Sequence, residues 1–283
     1  MAFQFTKWHG CGNDFVMVNA FQEDMSAYEK DLPALVRRAC DRHFGIGGDG
    51  LILVRPSETA DFRMHYFNAD GTEAEMCGNG IRCLGGVVHR DRLTEAQGFT
   101  VETGAGILVL KLVETDENRI VACVDMGEPI LDAPEIPIMG YGDERVVERE
   151  LRVASEVFRM TGVSMGNPHA VIFREDAETL PLALWGPAVE RHETFPRKTN
   201  VEFVKVIDRE RIRMRVWERG AGITLACGTG TCAAVVAGVL TGRTERETDV
   251  EVDGGTIRVK WDADDNHVYM TGPAECVFTG VFA

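Results

Sequence analysis

The chain has 283 residues, 45% of them hydrophobic and 27% charged, with a formal net charge of −15. This composition predicts one large folded domain or two of ordinary size. It argues against nucleic-acid binding, because the basic residues are scattered rather than clustered. No apolar run approaches the length of a membrane span, and the N-terminus lacks a signal-peptide pattern. We therefore expect a cytoplasmic protein without a nucleic-acid or membrane partner.

Short strands rich in Val and Ile dominate the predicted elements. In chain order they begin near residues 15, 51, 62, 107, 119, 169, 201, 211 and 256, and a last strand covers 276–282. A helix is predicted over 31–45, with Asp31 as its cap and Gly45 as its stop. Two further helices are predicted directly after Cys77 and Cys227, and the second is apolar nearly all round, which indicates burial.

The two halves of the chain resemble each other at an offset of 150 residues. CGNG at 77–80 aligns with CGTG at 227–230, and FRMHYFN at 62–68 aligns with IRMRVWE at 212–218. If the two short motifs were alike by chance, the residues on either side of them would not align too, so we infer an internal duplication. The predicted fold class is α/β (α+β), with two pseudo-symmetric domains, each a run of strands around one buried helix. The predicted domains are residues 1–127 with 273–283, and residues 128–272.

Each Cys-Gly-X-Gly motif places a cysteine between a strand and a helix. The first-turn N–H groups of a helix form an anion site, and their positive potential lowers the pKa of a cysteine at that end. A single copy is weak evidence, because cysteine is often a small buried hydrophobic residue. The chain has eight cysteines but no Cys-X-X-Cys, so we expect no metal site.

Two copies of the motif in related halves predict that Cys77 and Cys227 lie on opposite sides of one ligand in a cleft between the domains. Racemisation or epimerisation next to a carboxylate requires such a pair. One thiolate removes the α-proton, and the opposite thiol delivers a proton to the other face. Neither a pyridoxal-phosphate lysine site nor a Walker loop is visible, so no cofactor is expected.

The neighbouring polar residues suit recognition of an amino acid. Asn68 and Glu218 each precede their cysteine by nine residues, which makes them pseudo-equivalent. Arg219 could clamp a carboxylate or form an ordinary surface ion pair. Further polar residues at strand starts are equally consistent with turn chemistry or an ordinary strand position: Asn13, Asn167, Asn200 and His169.

These motifs resemble the diaminopimelate epimerase family, whose members interconvert LL- and meso-diaminopimelate without a cofactor in lysine biosynthesis. The resemblance covers essentially the whole length and is most specific from Asn68 to Arg82. It implies two domains, each a mixed, closed-up β-sheet around a central helix, and a homodimer with a small-molecule substrate. It implies Cys77 and Cys227 as the acid and base, and His169 and Glu218 as residues that tune the thiols. It implies these substrate-binding residues: Asn13, Asn68, Gly78, Asn79, Asn167, Asn200, Glu218, Arg219, Gly228 and Thr229.

Two positions depart from the family pattern. Gly50 stands where several members carry Gln, and Ile223 stands where the family usually has Glu, so one substrate contact and one local hydrogen bond are in doubt. Two alternatives remain open on the sequence: a cofactor-independent racemase or epimerase of another amino acid, and a redox-sensing, amino-acid-binding protein whose two thiols form a disulfide.

Overall fold

A computed structural model describes residues 2–283, which form two compact units. The first unit runs to Val124 and includes Thr271–Ala283, and the second is Asp125–Met270. No helix among residues 2–283 is long and apolar enough to cross a lipid bilayer. The helices are α1 (Leu32–Cys40), α2 (Gly78–Arg90), α3 (Leu182–Glu190) and α4 (Gly228–Leu240), with a 3-10 turn at Glu29–Asp31.

The first unit is a mixed sheet. It contains the strands predicted near residues 15, 51, 62, 107 and 119 and over 276–282, together with strands at residues 3–10, 73–74 and 98–103 that were not predicted. Paired neighbours run in the order β7, β6, β4, β3, β2, β1, β17 and β8, with β5 attached to β4. The pairs β2–β3 and β4–β6 are parallel, and the pairs β3–β4 and β6–β7 are antiparallel. The strands are β1 (Phe3–Gly10), β2 (Asn13–Asn19), β3 (Gly50–Arg55), β4 (Phe62–Asn68), β5 (Glu73–Ala74), β6 (Gly98–Thr103), β7 (Gly106–Thr115), β8 (Arg119–Asp125) and β17 (Val268–Phe282).

This sheet surrounds α2, and glycines on the helix allow the close approach. A Cβ at Gly86 would lie 2.3 Å from the ring of Trp8 on β1, and one at Gly85 would lie 3.2 Å from Leu110 on β7. A Cβ at Gly80 would lie 2.7 Å from Ile52 on β3. Strands on several sides therefore enclose the helix, and its residues 78–88 are buried.

The second unit repeats this design. Its strands pair in the order β9, β10, β11, β12, β13, β15 and β16, with β14 attached to β13. The helix α4 packs against strands from β10 to β16, and its residues 228–238 are buried. The strands are β9 (Arg149–Val153), β10 (Glu156–Ser164), β11 (Pro168–Phe173), β12 (Asn200–Asp208), β13 (Arg211–Glu218), β14 (Gly222–Thr224), β15 (Glu247–Val252) and β16 (Gly255–Trp261).

Seven consecutive strands pair in the same pattern in the two units, and the first unit has β8 as an additional strand. The parallel pair β2–β3 corresponds to β11–β12, and the parallel pair β4–β6 corresponds to β13–β15. The short antiparallel pair β4–β5 likewise corresponds to β13–β14. The duplicated α+β fold predicted from the sequence is therefore confirmed, with the central helix of each unit directly after its Cys-Gly-X-Gly cysteine.

Candidate active site

Cys77 is the residue that precedes α2, with an extended backbone, and its carbonyl accepts a hydrogen bond of 2.9 Å from Ile81 N. It is partly exposed, and its Sγ donates to Asn13 Oδ1 at 3.5 Å. The short strand β5 lies just before it and Gly78 just after it. The thiol of Cys77 thus lies at the N-terminal end of a helix, where backbone N–H groups can bind an anion.

Behind this thiol, Asn79 and Arg82 form a buried polar network. Asn79 Nδ2 donates to Asn13 Oδ1 at 3.2 Å, so one amide oxygen of Asn13 faces both Asn79 and Cys77. Arg82 is 0% exposed and donates to Asn79 Oδ1 at 2.9 Å and to Pro273 O on β17 at 3.1 Å. The guanidinium therefore fixes the orientation of the Asn79 amide and places a buried positive charge one turn inside α2.

Asn68 lies at the end of β4, opposite Gly50 on β3. Its Oδ1 accepts from Tyr66 Oη at 3.0 Å, and its Nδ2 donates to Thr72 Oγ1 at 3.1 Å. A Cβ at Gly50 would lie 2.5 Å from the carbonyl oxygen of Phe67 and 2.7 Å from the Tyr66 ring. The aromatic ring of Tyr66 thus occupies the space beside Gly50, and its hydroxyl contacts Asn68.

We predict that Gly50→Ala lowers the free energy of unfolding by about 2 kcal/mol, since a methyl group there overlaps backbone that cannot move away cheaply. Gly98→Ala is the matched control, because the nearest atom to a Cβ at Gly98 is 3.8 Å away. The control should change stability by no more than about 0.5 kcal/mol. Urea unfolding of both variants measures the difference, and equal midpoints would contradict this account of Gly50.

Cys227 repeats the position of Cys77 at the start of α4, but it is buried. Its carbonyl accepts from Thr231 N at 2.9 Å, and its Sγ lies 3.5 Å from Thr229 Oγ1. Burial raises the pKa of the Cys227 thiol well above its ordinary value, and the negative charges of Glu218 and Glu202 add to this shift. The thiol form of Cys227 is therefore favoured.

Glu218 and Arg219 follow one another at the end of β13. Burial raises the pKa of Glu218, although Thr224 Oγ1 donates to its Oε1 at 2.5 Å and opposes the shift. The Arg219 side chain is exposed and donates to Arg197 O at 3.3 Å. No ion pair to Arg219 is formed among residues 2–283.

Three polar residues on neighbouring strands complete the second unit's cluster. His169 Nδ1 lies 2.7 Å from Glu202 Oε1, and His169 Nε2 lies 3.0 Å from Asn167 Oδ1. Asn200, opposite His169 in the parallel ladder, accepts from Arg219 N at 2.8 Å through its Oδ1. Burial raises the pKa of Glu202, and the neighbouring His169 opposes that shift.

The predicted site residues divide between the two units. Asn13, Asn68 and Asn79 lie in the first unit with Cys77, and the second unit contributes the set around Cys227: Asn167, His169, Asn200, Glu218, Arg219, Gly228 and Thr229. Their roles stay predictions. Ile223 is 49% exposed, and its backbone pairs with Trp217 across β13–β14.

Sequence reasoning missed two residues of these clusters, Arg82 and Glu202. Both are charged and both are 0% exposed. A signal was available for each: Arg82 lies on the buried face of a helix, and Glu202 interrupts the apolar run VEFV of a strand. A charged side chain at a buried position needs polar partners, so its presence in an apolar pattern indicates a buried polar network.

The comparison with protein families decides the identity of the chain. The family model described as diaminopimelate epimerase matches residues 5–131 and 161–277.

The chain belongs to the diaminopimelate epimerase family.

Relatives named diaminopimelate epimerase match nearly its whole length. The Moorella thermoacetica protein is 53% identical over 278 residues, which cover 98% of each chain. The Methanococcus maripaludis protein (strain C6) is 49% identical over 277 residues, again 98% of each chain. Membership of the diaminopimelate epimerase family therefore rests on both halves of the duplicated chain.

Solved structures show that the fold extends beyond this family. A hydroxyproline epimerase from Agrobacterium vitis superposes with a TM-score of 0.70 at 14% identity, covering 99% of this chain and 91% of that one. A Bacillus anthracis phenazine biosynthesis protein of the PhzF family gives 0.66 at 16% identity, covering 100% and 99%. These likenesses establish the duplicated fold alone.

Proposed function

We propose that this chain is an amino-acid epimerase that interconverts LL- and meso-2,6-diaminopimelate without a cofactor, in the biosynthesis of lysine and peptidoglycan precursors. The observation that carries the proposal is a cysteine at the N-terminal end of the buried central helix in each of two duplicated units, in a chain of this family. Relatives with this name are about 50% identical over 98% of the chain.

In the proposed mechanism, Cys77 and Cys227 act on opposite faces of one α-carbon. One of them, as thiolate, removes the α-proton, and the other, as thiol, protonates the planar carbanion from the opposite side. The reverse reaction exchanges the two roles, so the pair carries one proton in each resting state. The raised pKa of Cys227 supports a resting state in which Cys227 holds that proton.

The remaining predicted residues bind the substrate. Backbone N–H groups at Gly78, Asn79, Gly228 and Thr229 would stabilise the carboxylate of the reacting centre, whose negative charge grows as the proton leaves. Arg219 would bind a second carboxylate bidentately. Side-chain amide and carboxyl groups would hold the ammonium groups and the distal centre of the substrate. The residues that supply them are Asn13, Asn68, Asn167, Asn200 and Glu218. His169 and Glu218 would tune the thiols.

We also propose that the protein is a cytoplasmic homodimer, as the family resemblance implies. Exposed apolar side chains on two strands of the first unit support an interface: Ile107, Val109 and Val113 on β7, and Val277, Phe278 and Val281 on β17. Light scattering after size exclusion should give twice the mass of 31.2 kDa.

The reaction is tested with the purified chain under reducing conditions. LL-diaminopimelate should convert to a mixture with the meso isomer, resolved by chiral chromatography, while proline and hydroxyproline should not react. Conversion of another amino acid alone would support a different epimerase. Failure of every substrate to react, with ligand binding retained in Cys77→Ser, would support a binding protein and overturn the proposal.

A further inference from the structure

Glu202 and His169 form a fully buried polar pair inside the second unit. Both side chains are 0% exposed, and they lie on adjacent parallel strands, β12 and β11. Glu202 Oε2 is buried and has no hydrogen-bond partner among the described residues. Such a pair costs desolvation free energy that an apolar pair would not, so its presence needs a reason.

The first unit shows that the fold does not need this pair. At the same offset of 150 residues that aligns Gly50 with Asn200, Glu202 corresponds to Ile52. Phe15 lies opposite Gly50 in the β2–β3 ladder, and His169 lies opposite Asn200 in the β11–β12 ladder. His169 therefore corresponds to Phe15. Phe15 and Ile52 are also 0% exposed. The same two core positions are thus apolar in one unit and ionisable in the other.

The carboxyl group of Glu202 lies beneath the first turn of α4. A Cβ at Gly230 would lie 2.8 Å from Glu202 Oε1 and 3.3 Å from Cys227 Sγ. In the first unit, the corresponding Cβ at Gly80 would meet the Ile52 side chain instead, at 2.7 Å. The ionisable groups that bear on Glu202 are His169 from β11, Glu218 from β13 and Cys227 from the start of α4.

His169 links this carboxyl group to a predicted substrate residue. Its Nδ1 faces Glu202 at 2.7 Å and its Nε2 faces Asn167 Oδ1 at 3.0 Å. A ring whose two nitrogens both face oxygen atoms at hydrogen-bond distance is held in one orientation. Glu202 therefore anchors one end of a chain of contacts that ends at the Asn167 amide.

We infer that Glu202 is a positioning residue of the second thiol: from beneath the first turn of α4 it fixes the His169 ring against Asn167 and places its carboxyl group close to Cys227. This inference rests on the proposed function. It explains why the second unit has an ionisable pair where the first has Phe15 and Ile52, because the pair acts on Cys227 and so biases the shared proton between the two thiols.

The first test is Glu202→Gln, which keeps an oxygen for His169 but removes the charge. Because the Glu202 charge raises the pKa of Cys227, its loss lowers that pKa. The apparent pKa that Cys227 contributes to the pH dependence of kcat/KM should fall by about one pH unit. Alkylation of Cys227 by iodoacetamide, followed by peptide mass spectrometry, should show the same shift in its midpoint without depending on turnover.

Glu190→Gln is the matched control. Glu190 is also buried, at 3% exposed, and its Oε2 accepts from Trp217 Nε1 at 2.8 Å in the same unit. It should leave the pH profile and the alkylation midpoint in place. If Glu202→Gln also leaves both in place while the wild type turns over substrate, the positioning role is overturned and the proposed function stands. If the wild type does not turn over any substrate, the proposed function fails instead, and the alkylation midpoint still decides the role of Glu202.

A double variant covers the case in which Glu202→Gln does not fold. His169→Phe with Glu202→Ile installs the residues of the first unit, so the apolar pair should leave the far-ultraviolet circular dichroism unchanged. It should lower kcat/KM by about 100-fold, as expected when catalytic groups lose their alignment. A folded double variant with wild-type kcat/KM would contradict the inference.

Discussion

Replacing either of the two proposed catalytic thiols by a hydroxyl group is expected to lower kcat by at least about 10³-fold. Cys77→Ser and Cys227→Ser each remove one member of the proposed acid/base pair, and a serine hydroxyl has too high a pKa to take either role near neutral pH. The replacement is nearly isosteric, so both variants should fold. Chiral chromatography of the diaminopimelate isomers measures the loss, and circular dichroism checks the fold.

Two other cysteines are matched controls for this prediction. Cys83 lies in α2 and Cys232 in α4, each within six residues of the cysteine that precedes its helix and each 0% exposed. Cys83→Ala and Cys232→Ala should cost stability through small cavities but retain turnover. Turnover retained in Cys77→Ser or Cys227→Ser, or lost in folded controls, would contradict the assigned roles.

Arg82→Met is expected to lower the free energy of unfolding by about 3 kcal/mol. The methionine fills the volume but leaves Asn79 Oδ1 and Pro273 O without the donor that Arg82 supplies. Each hydrogen bond that a buried oxygen loses costs about 1–3 kcal/mol, partly offset because a buried charge is removed. Release of the Asn79 amide should also raise KM. Urea unfolding and substrate titration measure the two effects.

Arg119→Met provides the comparison for Arg82→Met. Arg119 lies on β8 of the same unit, is about half exposed, and pairs with Glu114 and Glu275 at 3.7 and 3.3 Å. Surface ion pairs of this kind contribute about 0–1 kcal/mol, so this variant should unfold close to the wild-type midpoint and keep its KM. If the two substitutions changed the free energy of unfolding and KM equally, the stabilising role of the buried network around Arg82 would be contradicted.

The duplication could be predicted because both halves keep the same residues at a constant spacing. The predicted internal strands begin within two residues of those observed, and the helices after Cys77 and Cys227 start as predicted. Strands with little Val or Ile were missed, such as β1 (FQFTKWHG) and β9 (RELRV). Element ends were less accurate. The first helix stops at Cys40 rather than Gly45, because Asp41 is extended and its carboxylate accepts from His43 N and Phe44 N, which ends the helix in a turn.

What the sequence did not reveal depends on long-range contacts. The helix α3 was missed because its sequence, LALWGPAVE, contains both glycine and proline; a side chain at Gly186 would collide with Trp217, which lies far along the chain. The buried partners of Arg82 and Glu202 are likewise distant in sequence, at Pro273 and His169. Periodicity and motifs carry no information about such pairings.

The most direct test of the two-thiol mechanism is the isotopic content of both isomers at early times in deuterium oxide. If one thiolate removes the proton and a second thiol supplies another, newly formed meso-diaminopimelate should contain one deuterium at the inverted carbon. Unreacted LL-diaminopimelate should then contain none. Deuterium in the recovered LL isomer, or product that retains its original α-proton, would show that a single base acts on both faces and would contradict the roles of Cys77 and Cys227.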